Sequence, residues 1–241
     1  MTDVHSHIIF DVDDGSHTLE ESIELIKYMK EVGFNNIIAT PHYIRNSEYA
    51  ANNKEKLEKL AILKQELKKQ NIDVNLYLGN EIYISEHIHE DIVNDNIYTM
   101  NNSKYILFEI PFHNQILNLM DIVYELKING YIPILAHPER YDFLKANYKT
   151  VDLLKEEGLL FQCNYSSILE YYGKDAKKLL KYMLKKHYVD YLGTDIHHIN
   201  KTYVLDNFDK IKNKIIKVAG EDYFKEIISN CNRLLKEESI H

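Results

Sequence analysis

Two histidines stand two residues apart near the start of the chain, in Asp3-Val4-His5-Ser6-His7, with Asp11, Asp13, Asp14 and Gly15 close behind. Side chains alternate along extended backbone, so His5 and His7 leave the same face and can converge on one cation. A lone His-x-His is a weak sign, because histidine is also a satisfied polar residue in many cores. The same residue types recur, however, at the ends of later apolar runs: His42 after Pro41, Glu81 after Asn80, Glu109, His137 before Pro138-Glu139-Arg140, and Asp195-Ile196-His197. Mixed imidazole and carboxylate ligands without thiolate suit manganese, iron or zinc in an open catalytic site and do not suit a closed structural zinc knot.

Other routes to hydrolysis fail on spacing. A cysteine phosphatase loop needs an arginine six residues after its nucleophile, where Cys163 meets Leu169 and Cys231 meets Glu237. There is no Gly-x-x-x-x-Gly-Lys and hence no P-loop. His87 and His89 repeat the opening spacing inside a predicted helix, where i and i+2 point apart, so that pair reads as a decoy. Asp14 can be a turn residue ahead of Gly15, in which case Asp11 or Asp13 is the ligand. Tyr43, beside the expected mouth, is a candidate for lining a substrate pocket.

The elements that must position these groups alternate between strand and helix. Apolar runs over 36–40, 74–79, 105–110, 132–136, 159–163 and 188–192 follow the opening strand, and 98–110 is open to a hairpin. Thr18 with Glu21 is a capping box for a helix that stops at Gly33. Further helices are expected over 53–70 (with Leu57, Leu60, Ala61 and Leu67 inward), 115–129, 147–157, 174–186, 204–218 and 222–236. Strands that alternate with helices and end in polar residues point to an α/β fold, a parallel sheet closed or nearly closed into a barrel, with its site at the C-terminal rim. The 241 residues, 45% hydrophobic and 27% charged, supply one sizeable core, and residues 1–241 are read as one domain.

The formal charge of −8 argues against a duplex nucleic-acid partner. No apolar run approaches the roughly 18 residues of a membrane span, so no membrane insertion is expected. No basic-then-apolar signal segment opens the chain, and the expected location is cytoplasmic. In that reducing compartment Cys163 and Cys231 read as two buried thiols.

Taken in order, His5-Ser6-His7, Asp13-Asp14-Gly15, Pro41-His42, Glu81, His137-Pro138-Glu139-Arg140 and Asp195-Ile196-His197 resemble the polymerase-and-histidinol-phosphatase (PHP) superfamily. More narrowly they resemble its bacterial manganese-dependent protein-tyrosine phosphatases of capsule and exopolysaccharide biosynthesis. The resemblance spans about residues 1–200 and implies a distorted (β/α)7 barrel holding three divalent ions, manganese first and iron or zinc as alternatives. It implies His5, His7, Glu81 and Asp195 on one ion, Glu81, Glu109 and His137 on a second, and Asp14, His42 and His197 on a third, with Arg140 gripping the phosphate. The phosphatases usually place an arginine seven residues after the equivalent of Asp195; here that position is Thr202, with Lys201 beside it. The implied partner is a phosphotyrosyl protein, a bacterial tyrosine kinase tail.

The chemistry of the residues agrees with this. Three divalent ions against the carboxylates of Asp14, Glu81, Glu109 and Asp195 leave a positive pocket that favours a phosphate dianion. Water bridging two such ions loses a proton near neutral pH and can attack phosphorus in line. Tyrosine, with a pKa of about 10, leaves with modest proton help; His198 and His17 are the nearest candidates for a general acid. Two other readings share the scaffold: a small-molecule phosphatase of the histidinol-phosphate type, and a non-catalytic regulator stabilised by metal.

Overall fold

The computed structural model describes residues 1–113 and 118–236. Among the described residues nine short strands all pair in parallel, and two pairs of them continue one another, which leaves seven strand positions. The first ladder is β1 (Thr2–Asp3), β2 (Asn36–Ala39) and β4 (Asn75–Leu78). After interruptions at residues 40–41 and 79–80, β2 and β4 resume as β3 (His42–Tyr43) and β5 (Glu81–Tyr83). These open the second ladder, β3-β5-β6-β7-β8-β9, with β6 at Tyr105–Glu109, β7 at Ile132–Ala136, β8 at Leu160–Asn164 and β9 at Tyr191–Gly193.

The wall curls until its two ends meet. Ser6 bridges to Ile196 in parallel, the His7 N–H donates to the Ile196 carbonyl at 2.8 Å, and the Asp195 N–H donates to the His5 carbonyl at 2.8 Å. The result is the distorted (β/α)7 barrel. The opening strand is shorter than expected: it leaves β2 after Asp3 and transfers its pairing to the far end of the sheet at Ser6. Its alternation survives the transfer, so His5 and His7 flank Ser6 and share a side.

Helices cover the outside. In α1 (Leu19–Val32) the Thr18 hydroxyl accepts from the Glu21 N–H, while Glu21 reaches back one residue further than a standard capping box, to the His17 N–H at 2.8 Å. Gly33, at φ 110°, ends it. Its buried Leu25, Ile26 and Met29 join Ile37, Ile38 and Leu78 in one continuous core. In α2 (Asn53–Lys69) the inward face differs from the expected one: Leu60, Leu63 and Leu67 are buried, whereas Leu57 and Ala61 are exposed. Lys56 shares that inward face. Its buried ammonium donates to Asn80 Oδ1 at 2.9 Å, and burial pulls it down to about 7. Asn80 in turn donates to the Pro41 carbonyl at 2.9 Å, tying the two strand interruptions together.

The remaining helices are α3 (Ile88–Val93), α4 (Leu119–Ile128), α5 (Asp142–Ala146), α6 (Tyr148–Glu156), α7 (Lys174–Lys185), α8 (Tyr203–Asp206), α9 (Phe208–Ala219) and α10 (Glu221–Arg233). The first residues expected of α4, 115–117, lie outside the described residues. The 98–110 stretch is a short 3₁₀ turn at Met100–Asn102 leading into β6, not a hairpin. Helix α10 packs on β1 and β9, where Thr2 Oγ1 donates to Asn232 Oδ1 at 2.6 Å. Cys163 and Cys231 are free and buried. Among the described residues no helix is long and apolar enough to cross a membrane.

Candidate metal centre

Every strand position delivers a polar group to the same rim, and the backbone there is shaped for it. Gly193 lets β9 pass against His5: a Cβ would come within 2.6 Å of the His5 Cβ. At Gly15 a Cβ would meet the His7 carbonyl oxygen at 2.2 Å, so only glycine lets this loop fold back over His7. His137 (φ 34°), directly after β7, and Asp195 (φ 53°), two residues after β9, hold the left-handed conformation, a strained choice for non-glycine residues that collects at functional sites.

Four donors converge first. His5 Nε2 lies 3.1 Å from Glu81 Oε2, 3.5 Å from Asp195 Oδ1 and 3.3 Å from His7 Nε2. His7 Nε2 lies 3.3 Å from Glu81 Oε2 and 3.6 Å from Asp195 Oδ1. Ligands about 2.1 Å from one ion stand roughly 3.4 Å apart in a tetrahedron, so these separations are the edges of a coordination shell. The tautomers point the same way. His5 Nδ1 donates to Gln162 Oε1 at 2.7 Å, and that amide is oriented by its own donation to the Cys163 carbonyl and Asn164 Oδ1. His7 Nδ1 donates to Asp13 Oδ2 at 2.7 Å. With both Nδ1 atoms protonated, the two Nε2 lone pairs face each other and two carboxylates, an arrangement that calls for a cation between them.

A second group comprises Glu81, Glu109 and one edge of His42, whose buried Nδ1 lacks a hydrogen-bond partner and sits 3.3 Å from Glu81 Oε2 and 3.3 Å from Glu109 Oε1. His137 Nε2 joins it, 2.7 Å from Glu81 Oε1 and 3.9 Å from Glu109 Oε2. The third group is His7, Asp14, His42 and His197. Asp14 Oδ1 lies 3.5 Å from His42 Nε2 and 3.7 Å from His197 Nε2. His197 Nδ1 donates to the Asp195 carbonyl at 3.0 Å, which again leaves Nε2 facing inward. The His42 ring thus stands between the second and third groups, one nitrogen toward each.

Electrostatics follow from this crowding. Burial alone would depress His5, but the adjacent Glu81 and Asp195 carboxylates outweigh it and raise the imidazole to about 9. Burial opposes the charge on His7 as well, yet its imidazole is likewise held well above the usual range, with Asp13 as its main partner. Burial favours protonated Glu81 and Asp195, yet the imidazoles around them hold both well below the usual carboxylate range. Arg140 borders the cluster. Its guanidinium lies between the rings of Phe112 (4.4 Å) and Tyr172 (4.3 Å), and Nη1 donates to Asp195 Oδ2 at 2.9 Å. Beside it opens a cleft of about 240 Å³, lined in part by Asp14, Arg140, Asp195, His197 and Lys201.

Residues 1–236 match the family described as "Capsular polysaccharide synthesis, CpsB/CapC". The chain belongs to the CpsB/CapC family. CapC of Staphylococcus aureus is 37% identical over 245 residues, covering 98% of this chain and 94% of CapC. The tyrosine-protein phosphatase YwqE of Bacillus subtilis is 30% identical over 199 residues, 83% of this chain and 78% of YwqE. A crystal structure from work on YwqE and on CpsB of Streptococcus pneumoniae, described as metal-dependent tyrosine phosphatases, superimposes with a TM-score of 0.88 at 26% identity, covering 100% of this chain and 96% of that one. A lactonase from Listeria monocytogenes shares the fold at a TM-score of 0.59 and 12% identity, covering 99% of this chain and 95% of that one.

In this CpsB/CapC chain all nine expected ligand positions, His5, His7, Asp14, His42, Glu81, Glu109, His137, Asp195 and His197, meet at one rim; the His5 and His137 rings are 5.6 Å apart. Asp14 sits among the inward donors. Asp13 stands behind His7, also accepting from the His42 N–H at 2.8 Å, and Asp11 pairs with Lys59 at the surface. Tyr43 is buried beneath Lys56 rather than lining the cleft. His198 lines the cleft and is held by Glu21 at 3.4 Å. Thr202 donates to Asp206 Oδ2 at 3.1 Å, while Lys201 faces the cleft that Arg140 borders. Sequence reasoning did not single out Gln162, Asn164 and Tyr172, of which the last two donate to Asp195 Oδ2 at 2.7 and 3.3 Å. The available signal was two amides in an otherwise apolar strand.

Proposed function

We propose that this chain is a metal-dependent phosphomonoesterase that hydrolyses phosphotyrosine on a protein, with the tail of a bacterial tyrosine kinase as its natural substrate, and that it works in the cytoplasm as one domain. The observation that carries this reading is the merging of three inward-facing donor groups through His7, His42 and Glu81, directly beside an arginine-bordered cleft. The substrate class rests on the relatives, which cover the chain end to end and favour a protein substrate over the histidinol-phosphate and non-catalytic readings.

His5, His7, Glu81 and Asp195 would hold one divalent ion, Glu81, Glu109 and His137 a second, and Asp14, His42 and His197 a third, manganese first. Bound there, the ions acidify coordinated water toward neutrality and offset the charge of a phosphate. The chain's own contributions are orientation and charge. Gln162, Asp13 and the Asp195 carbonyl fix three imidazoles with Nε2 inward. Arg140 spends Nη1 on Asp195, and its other N–H groups remain for phosphate oxygens, the planar fork held flat between two rings.

Hydrolysis of a phosphotyrosyl peptide is expected to be stimulated by Mn²⁺ and abolished by EDTA. Undiminished turnover in a chelated, metal-free sample rejects the proposal. Arg140→Ala is expected to lose about 10²-fold in kcat or more while retaining metal, read from turnover beside metal content per chain. Full activity removes Arg140 from the role.

A further inference from the structure

Beyond Arg140, the cleft continues along aromatic rings. Tyr172 covers one face of the guanidinium and is committed through its hydroxyl to Asn164 and Asp195. Tyr171 precedes it in the turn before α7. Its ring meets Tyr172 edge to face (4.9 Å, 87°) and stacks on Tyr203 (5.0 Å, 25°). Both Tyr171 and Tyr172 line the cleft, yet Tyr171 remains 46% exposed. A large ring braced on two sides but left open to solvent beside buried catalytic groups is a preorganised contact surface, because little side-chain freedom remains to be lost on binding.

Geometry sets what it would contact. Arg140, beside the proposed metal-holding groups Asp14, Asp195 and His197, would receive a phosphoryl group in this cleft, and Tyr171 borders the same space. In an aryl phosphate the ring begins one ester oxygen from phosphorus, so a phosphoryl group held by Arg140 would keep the ring within this same cleft of about 240 Å³. An alkyl phosphate presents no flat face there. We propose that Tyr171, braced by Tyr203, is a specificity-determining residue that receives the ring of an aryl phosphate and sets the preference for aryl over alkyl phosphomonoesters. This deepens the phosphatase reading above and rests on it.

The test is calorimetric binding of benzylphosphonate, a phenyl probe whose methylene stands in for the ester oxygen, and of methylphosphonate to the Mn²⁺-loaded protein, at a mildly alkaline pH where both are dianions. Neither probe is hydrolysed, so the readout is independent of turnover. The wild type is expected to bind the phenyl probe about three- to tenfold more tightly, the range of an aromatic pair. In Tyr171→Ala the ratio is expected to fall to within about twofold of unity, with methylphosphonate affinity little changed, and Tyr171→Phe should restore it. A loss that merely disturbed the turn would weaken both probes alike and overturn the proposal. So would a wild-type ratio retained in Tyr171→Ala, or no preference in the wild type. Failure of the phosphatase reading is seen separately, as absent Mn²⁺-dependent turnover of a phosphotyrosyl peptide.

Discussion

The chain contains the spacing His-x-His twice, and the two copies have opposite fates. His5 and His7 are fully buried, each with Nδ1 given to an outward acceptor and Nε2 turned toward shared carboxylates. His87 is half-exposed at the start of α3, between the carboxylates of Glu86 and Glu90, and His89 points elsewhere, near Tyr131. Neither belongs to a group of converging donors among the described residues. Spacing therefore decides little. What makes the first pair a site is extended backbone, which puts both rings on one side, and buried partners that fix which nitrogen faces inward.

Removing a ligand from the first copy is the strongest way to break this contrast. His5→Ala leaves Glu81 and Asp195 without one of the donors they share, and Mn²⁺ affinity and phosphatase turnover are both expected to fall by at least about 10²-fold, measured by calorimetry and initial rates. A smaller loss follows from changing only the outward partner. Asp13→Asn keeps the His7 side chain but weakens its orientation, with an expected cost of about 10- to 100-fold in metal affinity. Unchanged affinity there would mean that the outward hydrogen bond is dispensable.

Acidity offers a subtler test. His5 is raised in the folded, metal-free chain from its ordinary 6.5 to about 9, so its protonation stabilises the fold fully below about 6.5, and that contribution disappears as pH climbs through 9. The melting temperature of the EDTA-stripped protein should accordingly fall across this window. Protons compete with metal for the same nitrogen, so the added stability from Mn²⁺ should grow over the same range. Asp13, held near 2, does not enter, because its contribution is lost only as pH falls toward that value. A gap between loaded and stripped melting curves that stays constant with pH would contradict the arrangement. The smallest effect belongs to the second copy: His87→Gln should leave metal affinity unchanged and stability within about 0.5 kcal/mol.

Much of the rim could be read in the sequence, because each donor follows a short apolar run and parallel strands bring such ends together. The adjacent pair Asp13 and Asp14 could not be sorted that way. Both carboxylates precede Gly15, and which one joins His42 and His197 depends on how tightly the loop folds over His7, a close approach that only the structure shows. Lys56 hides for a related reason: in a lysine-rich helix nothing local marks the one ammonium that turns inward toward Asn80. The choice of Tyr171 and Tyr172 over Tyr43 at the cleft is likewise tertiary, set by the turn before α7 and by Tyr203. The opening strand was legible in its alternation but not in its partner, since the switch to Ile196 joins residues 190 apart.

That junction has a temporal consequence. A ribosome that has released the first hundred residues has supplied His5, His7, Asp14, His42 and Glu81, but Asp195 and the backbone of Ile196 that seats the opening segment are still unmade. The nascent chain therefore cannot bring together His5, His7, Glu81 and Asp195, the donors proposed for one ion, until residue 195 has emerged. On that proposal, metal binding waits for the seam between the opening segment and Ile196 to close.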